Sequence, residues 1–187
     1  MRILVSEVHE IYGRDIAALL NPRPAFLLSA YSDATDRSSS RSIATIIWVS
    51  PITHQPPRLC FSIKSASKTF ETLKKSNYCC LSSVRDGAQS DIVYCGTHSG
   101  FTEDKFKHIN CCNISIQKDN QALNFLAYKE FYSCLLLEVI STENFGTHTL
   151  VCANILKALS CARLDQKNRV TADKTLLCVQ RDNFNTL

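Results

Sequence analysis

Apolar residues at Val8, Ile11, Ile16, Leu19 and Leu20 recur near helical spacing and stop before Asn21-Pro22, which predicts a leading helix over Val8 to Leu20. From Ala25 onward the period shortens. Ala25 to Tyr31 reads as a first strand, and Ser32 to Arg41, with no apolar residue beyond Ala34, as a polar hairpin loop. Ile43 to Val49 is rich in β-branched residues and Leu59 to Ile63 alternates apolar with small polar. Two strands therefore flank a Pro56-Pro57 turn, and Ser50-Pro51 marks where the pairing stops. A helix over Lys68 to Lys75 places Phe70 and Leu73 on one face, and Tyr78 to Val84 returns as a strand.

Beyond the Asp86-Gly87 turn, Ser90 to Cys95 and Glu103 to His108 predict short helices around a Gly96 to Gly100 bend. Cys112 to Gln117 alternates like a strand. Phe131 to Thr142 and Thr147 to Leu159 predict two long antiparallel strands joined near Asn144 to Gly146. A polar stretch, Arg163 to Lys174, leads to a closing apolar segment, Leu176 to Val179. At least six strands joined by short turns favour a closed antiparallel barrel over a doubly wound sheet.

Composition narrows the reading. The chain has 187 residues, 45% hydrophobic and 20% charged, which suits one domain over 1–187. The net charge of +4 comes without a Lys/Arg run, so no nucleic acid is expected. No apolar run reaches membrane length and Glu7 interrupts any leader-like core, so a cytoplasmic protein off the membrane is expected. In that setting the ten cysteines are expected as free thiols. The adjacent pairs Cys79-Cys80 and Cys111-Cys112 predict one buried and one exposed thiol each.

The chemistry concentrates at one helix start. Ser65, Ser67, Lys68 and Thr69 offer three hydroxyls and an ammonium where backbone N–H groups are free, a candidate anion site. The five glycines form neither Gly-x-Gly-x-x-Gly nor a phosphate loop, so a dinucleotide unit of that type has no support. Cys95, His98, His108 and Cys111 would offer four zinc ligands to an interaction module, but their order is unusual and no Cys-x-x-Cys accompanies them. No metal is expected. A lone strand histidine such as His148 is more often packed than catalytic, and Trp48 is by itself equally a core aromatic.

Taken in order, Arg23-Pro24, Ala44-Thr45, Trp48, Pro51, Pro56-Pro57, Ser62-Ile63 and Lys68-Thr69 form a pattern. It continues with Cys95-Gly96, Ser99-Gly100, Asp104-Lys105-Phe106 and His148-Thr149-Leu150. Over residues 21–157 this resembles the flavin reductase-like family. The resemblance implies a mainly β fold, an antiparallel, Greek-key-like FMN-binding split β-barrel with a few short peripheral helices. Its core would span about 21–160, with 161–187 as a C-terminal segment.

The resemblance also implies a site. Ser65, Ser67, Lys68 and Thr69 would hold the FMN phosphate, Ala44, Thr45, Ile46, Ile47 and Trp48 would line the ring, and Ser62, Ser99 and Gly100 would complete the cofactor set. His148 is the candidate catalytic residue near the reactive face. Its surroundings depart from the family pattern, with Thr147 where an acid often precedes the histidine and Ala153-Asn154 where Gly-Glu often follows. The implied activity is hydride transfer from NADH or NADPH to flavin, in a homodimer that passes electrons to an oxygenase or another redox partner. The alternative is a flavoredoxin-like electron carrier whose bound FMN takes electrons from a partner protein.

Overall fold

A computed structural model describes residues 11–12, 15–32, 41–161, 176–180 and 183–186. Its main sheet is made of β2 (Phe26–Tyr31), β3 (Arg41–Ile46), β4 (Val49–His54), β5 (Pro57–Lys64), β6 (Tyr78–Val84), β9 (Phe131–Asn144) and β10 (His148–Ser160). The strand order is β3-β2-β6-β9-β10-β5-β4, with every neighbouring pair antiparallel. The two ends of this ladder, β3 and β4, are consecutive in the chain and separated by Ile47 and Trp48 alone. The Ser62 N–H donates to the Trp48 carbonyl at 2.9 Å, which carries the β4–β5 pairing back into that joint. The sheet thus wraps into a barrel.

Inside it, Leu28, Ile46, Leu59, Phe61, Ile63, Leu81, Leu137 and Val151 form one buried cluster. Helix α2 (Lys68–Ser76) closes it through Phe70 and Leu73, the pair that the helical spacing put on one face. Full burial of side chains of this size is worth about 1.5–3 kcal/mol each. The helix is short and held at both ends, by Ser67 at its start and by Asn77 in the left-handed region (φ 59°) after its last turn.

Two further clusters cover the barrel from outside. Ala25, Leu27, Ile43 and Val84 pack under Ile92 and Cys95 of helix α3 (Gln89–Thr97). Cys80, Cys134 and Leu136 pack under Phe125 and Ala127 of a hairpin, β7 (Cys111–Lys118) and β8 (Gln121–Tyr128). The return strand β8 is not anticipated from the sequence. Its turn is Asp119-Asn120, both with positive φ (49° and 65°), the two-residue geometry that matches strand twist. A small third sheet joins β1 (Arg23–Pro24), β11 (Leu176–Gln180) and β12 (Asn183–Thr186).

Four expectations change. The predicted leading helix is one turn, Asp15–Ala18, among the described residues, while Val8 to Glu10 lie outside them. Ser50-Pro51 does not end a strand. Because β4 is the outermost strand of its side, Pro51 pairs with Leu59 without needing a donor on its open edge. Cys79 and Cys80 are both buried, since β6 is covered by the core on one face and the hairpin on the other. The helix expected over Glu103 to His108 is a 3₁₀ turn, Lys105–Lys107. The predicted loop at 33–40 and most of the polar stretch after Cys161 lie outside the described residues. No described helix is long and apolar enough to cross a membrane.

Candidate functional site

The start of α2 collects unused donors. Ser67 is the N-cap, its Oγ accepting from the Phe70 N–H at 3.2 Å and its carbonyl from the Glu71 N–H at 3.0 Å. The Lys68 and Thr69 N–H groups, first in the helix, have no acceptor among the described residues and sit at the positive end of the helix dipole. The Lys68 ammonium lies 5.6 Å from the Phe101 ring centre and has no carboxylate partner among the described residues. Thr69 is buried, with its Oγ1 2.9 Å from Ser42 Oγ of β3.

The opposite wall is the end of α3 and the turn after it. A Cβ at Gly100 would stand 3.1 Å from both Lys68 Cβ and Ser42 Oγ, so the bare backbone leaves the room beside those donors that any side chain would take. At Gly96 a Cβ would meet Thr45 Cβ at 3.4 Å. Behind the wall lies Lys105, 5% exposed, whose Nζ donates to the Ile43 carbonyl at 3.1 Å and the Cys95 carbonyl at 2.6 Å. Burial lowers its pKa, against the opposing pull of Cys95 and Glu103. This lysine ties β3 to α3.

These walls enclose a cleft of about 240 Å³. Of the predicted residues, it gathers Ala44, Thr45 and Ile46 from β3, Ser67, Lys68 and Thr69 from α2, and Ser99 and Gly100 from the turn. Ser65 is not among its lining residues. Its N–H donates to the Thr147 carbonyl at 3.0 Å, and its Oγ lies 2.9 Å from Thr149 Oγ1 and accepts from Asn144 Nδ2 at 3.4 Å. Ser65 braces the loop against β10.

Ile47, Trp48 and Ser62 line a different, open depression of about 280 Å³ on the outer barrel face. Trp48 is 36% exposed, with the Arg23 guanidinium 6.0 Å from its ring centre and the His148 ring at 5.1 Å. His148 Nδ1 lies 3.0 Å from Thr147 Oγ1. The structure therefore puts His148 beside Trp48, in register opposite Lys64. Ala44 to Trp48 connects the two places, Ile46 lining the cleft and its neighbour Ile47 the depression.

Ser42 and Lys105 also belong to the cleft's construction, in roles that the sequence alone does not assign. Their partners come from distant elements, so nothing local in the sequence marks these roles, although Lys105 stands in the Asp104-Lys105-Phe106 pattern. The four suggested zinc ligands do not converge. Tyr94 stands between His98 and His108, with ring centres 4.2 and 4.9 Å away, and no group of three or more His, Cys, Asp or Glu able to hold a metal occurs among the described residues.

A family model described as "Flavin reductase like domain" matches residues 20–185. No curated protein matches the chain. Among solved structures, flavoredoxin from Methanosarcina acetivorans superposes with a TM-score of 0.77 at 20% identity, over 97% of this chain and 91% of that one. The FMN-binding protein from Thermus thermophilus, solved with 1-cyclohex-2-enone, gives 0.74 at 18% identity, over 100% and 96%. The styrene monooxygenase flavin reductase from Pseudomonas putida S12 gives 0.64 at 16% identity, over 93% and 95%. At these identities the likeness is one of fold.

Proposed function

The chain belongs to the family of flavin reductase-like domains, and from that premise we propose that it binds FMN and reduces it with NADH or NADPH. The observation that carries the reading is the start of α2, where two N–H groups without an acceptor and an ammonium without a carboxylate, among the described residues, meet a cleft that Gly100 keeps open. That donor set suits a phosphate dianion. Lys68 and the Lys68 and Thr69 N–H groups would bind the phosphate, Ser42 would fix Thr69, and Ser65 would hold the loop to β10. Ala44 to Trp48 would face the ring.

FMN, when bound, supplies the redox chemistry. The chain contributes position and access. Trp48 and His148 border the open face on which a nicotinamide would stack, and direct transfer asks for reacting atoms about 3 to 3.5 Å apart, with no separate dinucleotide-binding unit. His148 is the candidate catalytic residue here. A homodimer, and an oxygenase or redox protein as final acceptor, complete the proposal.

One observation favours the electron-carrier reading instead. His148 Nδ1 meets the neutral Thr147 hydroxyl, and among the described residues no carboxylate pairs with it to orient it for proton transfer. The experiment that decides mixes FMN-loaded protein with excess NADH, or NADPH, under nitrogen and follows the flavin absorption band. Bleaching within minutes supports the reductase. If dithionite bleaches the band at once and neither nucleotide does, the protein is a carrier.

A further inference from the structure

All ten cysteines are free thiols, but one pair is placed unlike the rest. Cys60 of β5 and Cys152 of β10 stand directly opposite each other in antiparallel register. Two hydrogen bonds fix the type of pair. The Ser65 N–H donates across to Thr147, while the Ser62 N–H donates to Trp48 on the β4 side. Because a strand residue turns its N–H and C=O the same way and successive residues alternate, Cys60, like Ser62, turns its backbone toward β4. Cys60 and Cys152 are therefore a non-hydrogen-bonded pair, the kind in which Cα atoms come within about 4.5 Å and side chains lie closest.

That separation is inside the roughly 4.4–6.8 Å that a disulfide spans. Phe61 and Val151 point into the core, so Cys60 and Cys152 share the outer face. The next pair in that row, Arg58 and Asn154, already meets through a 3.0 Å hydrogen bond. Both thiols are half-buried, and Cys60 borders the open depression beside Trp48. Burial and the neighbouring Cys152 raise the Cys60 thiol. By contrast, Cys80 and Cys134 are also neighbours, but both are fully buried under the β7–β8 hairpin.

We propose that Cys60 and Cys152 form an oxidisable dithiol that closes to an intramolecular disulfide on exposure to low-molecular-weight disulfides. One protein thiolate attacks R–S–S–R, forming a mixed disulfide and releasing one R–S⁻, which takes up a proton. The second protein thiolate then attacks the protein sulfur of that mixed disulfide and releases the other R–S⁻. Two protein thiols are oxidised, one small disulfide becomes two thiols, and both protons end on those thiols. The bridge would tie β5 to β10 on the outer face, next to Trp48 and Ser62. The inference rests on strand register alone and is independent of the flavin reading.

The test treats the full chain carrying Cys161→Ser, which removes an exposed thiol, with bis(2-hydroxyethyl) disulfide, then alkylates and digests with trypsin. The expected product joins the Leu59–Lys64 peptide to the Glu130–Lys157 peptide, two hydrogens lighter than their sum, with Cys134 alkylated. Its rate should not depend on protein concentration. Adding Cys60→Ser or Cys152→Ser should abolish the link and leave a mixed disulfide on the remaining thiol. Separate adducts on both cysteines of the parent protein without a link, no reaction at either, or a link formed equally between other cysteines would each overturn the proposal.

Discussion

The cleft at the start of α2 and the depression around Trp48 share the stretch from Ala44 to Trp48, yet they are built on opposite principles. The first is narrow and rich in unused donors, with Lys68 free of any described carboxylate and two N–H groups open. The second is open and aromatic, with Trp48 held between Arg23 and His148. Dense charge-assisted donors suit an anchor that stays. A flat, exposed ring surface, where each contact is worth on the order of 1 kcal/mol, suits a molecule that comes and goes.

The largest effect that separates them is expected from Lys68→Ala. Losing a charge-assisted bond of about 1.5–3 kcal/mol should weaken FMN about 10- to 100-fold, while riboflavin, lacking the phosphate, keeps its affinity. Fluorescence titration of both ligands measures this, and an equal loss for the two would end the division of labour. His148→Ala should do the reverse. Reduction by NADH or NADPH at saturating FMN should fall about tenfold with FMN affinity within about twofold, and a matching loss of affinity would merge the two regions into one site.

The smallest effect lies away from both and serves as a control. Lys118 of β7 donates to Glu138 of β9, and this bond holds the Glu138 carboxyl below its usual range and Lys118 above. A depressed carboxyl contributes stability that is present above its unfolded value near 4.5 and lost as pH falls through the folded pKa. The raised lysine adds its part below 10.5 and loses it as pH rises through its folded pKa. Glu138→Gln should therefore lower denaturant stability at neutral pH by at most about 1 kcal/mol, with the difference vanishing in acid and both sites unaltered. A difference that persists at pH 3 would mean the residue acts through packing.

Much of this was legible because burial had one cause. Tyr78 to Val84 reads correctly at both ends since the whole strand is sandwiched and its residues are uniformly apolar or small. The β9–β10 hairpin reads because long alternation stops at Asn144 to Gly146, where Gly146 takes φ 81°. The strand β8 does not read, since only its far end, Phe125 to Tyr128, is mostly buried, while Gln121, Ala122 and Asn124 are exposed and Leu123 is half-buried. For the site, Ser67, Lys68 and Thr69 could be assigned from a local helix-start signal. Ser65 carries the same hydroxyl and does another job, because its partner Thr149 is 84 positions away. Spacing along the chain says nothing about such pairings.

That same distance has a kinetic meaning. The β9–β10 hairpin brings together residues close in sequence, whereas β5 meets β10 only after a closure of more than eighty residues, whose entropy must be met before its contacts return anything. The loop before α2 takes its brace from that long closure. An anion that engages the loop therefore selects the fully closed barrel and raises its stability by mass action, by about 2.7 kcal/mol at a hundredfold excess over Kd. Ligand concentration during refolding thus becomes a handle on the seam between β5 and β10.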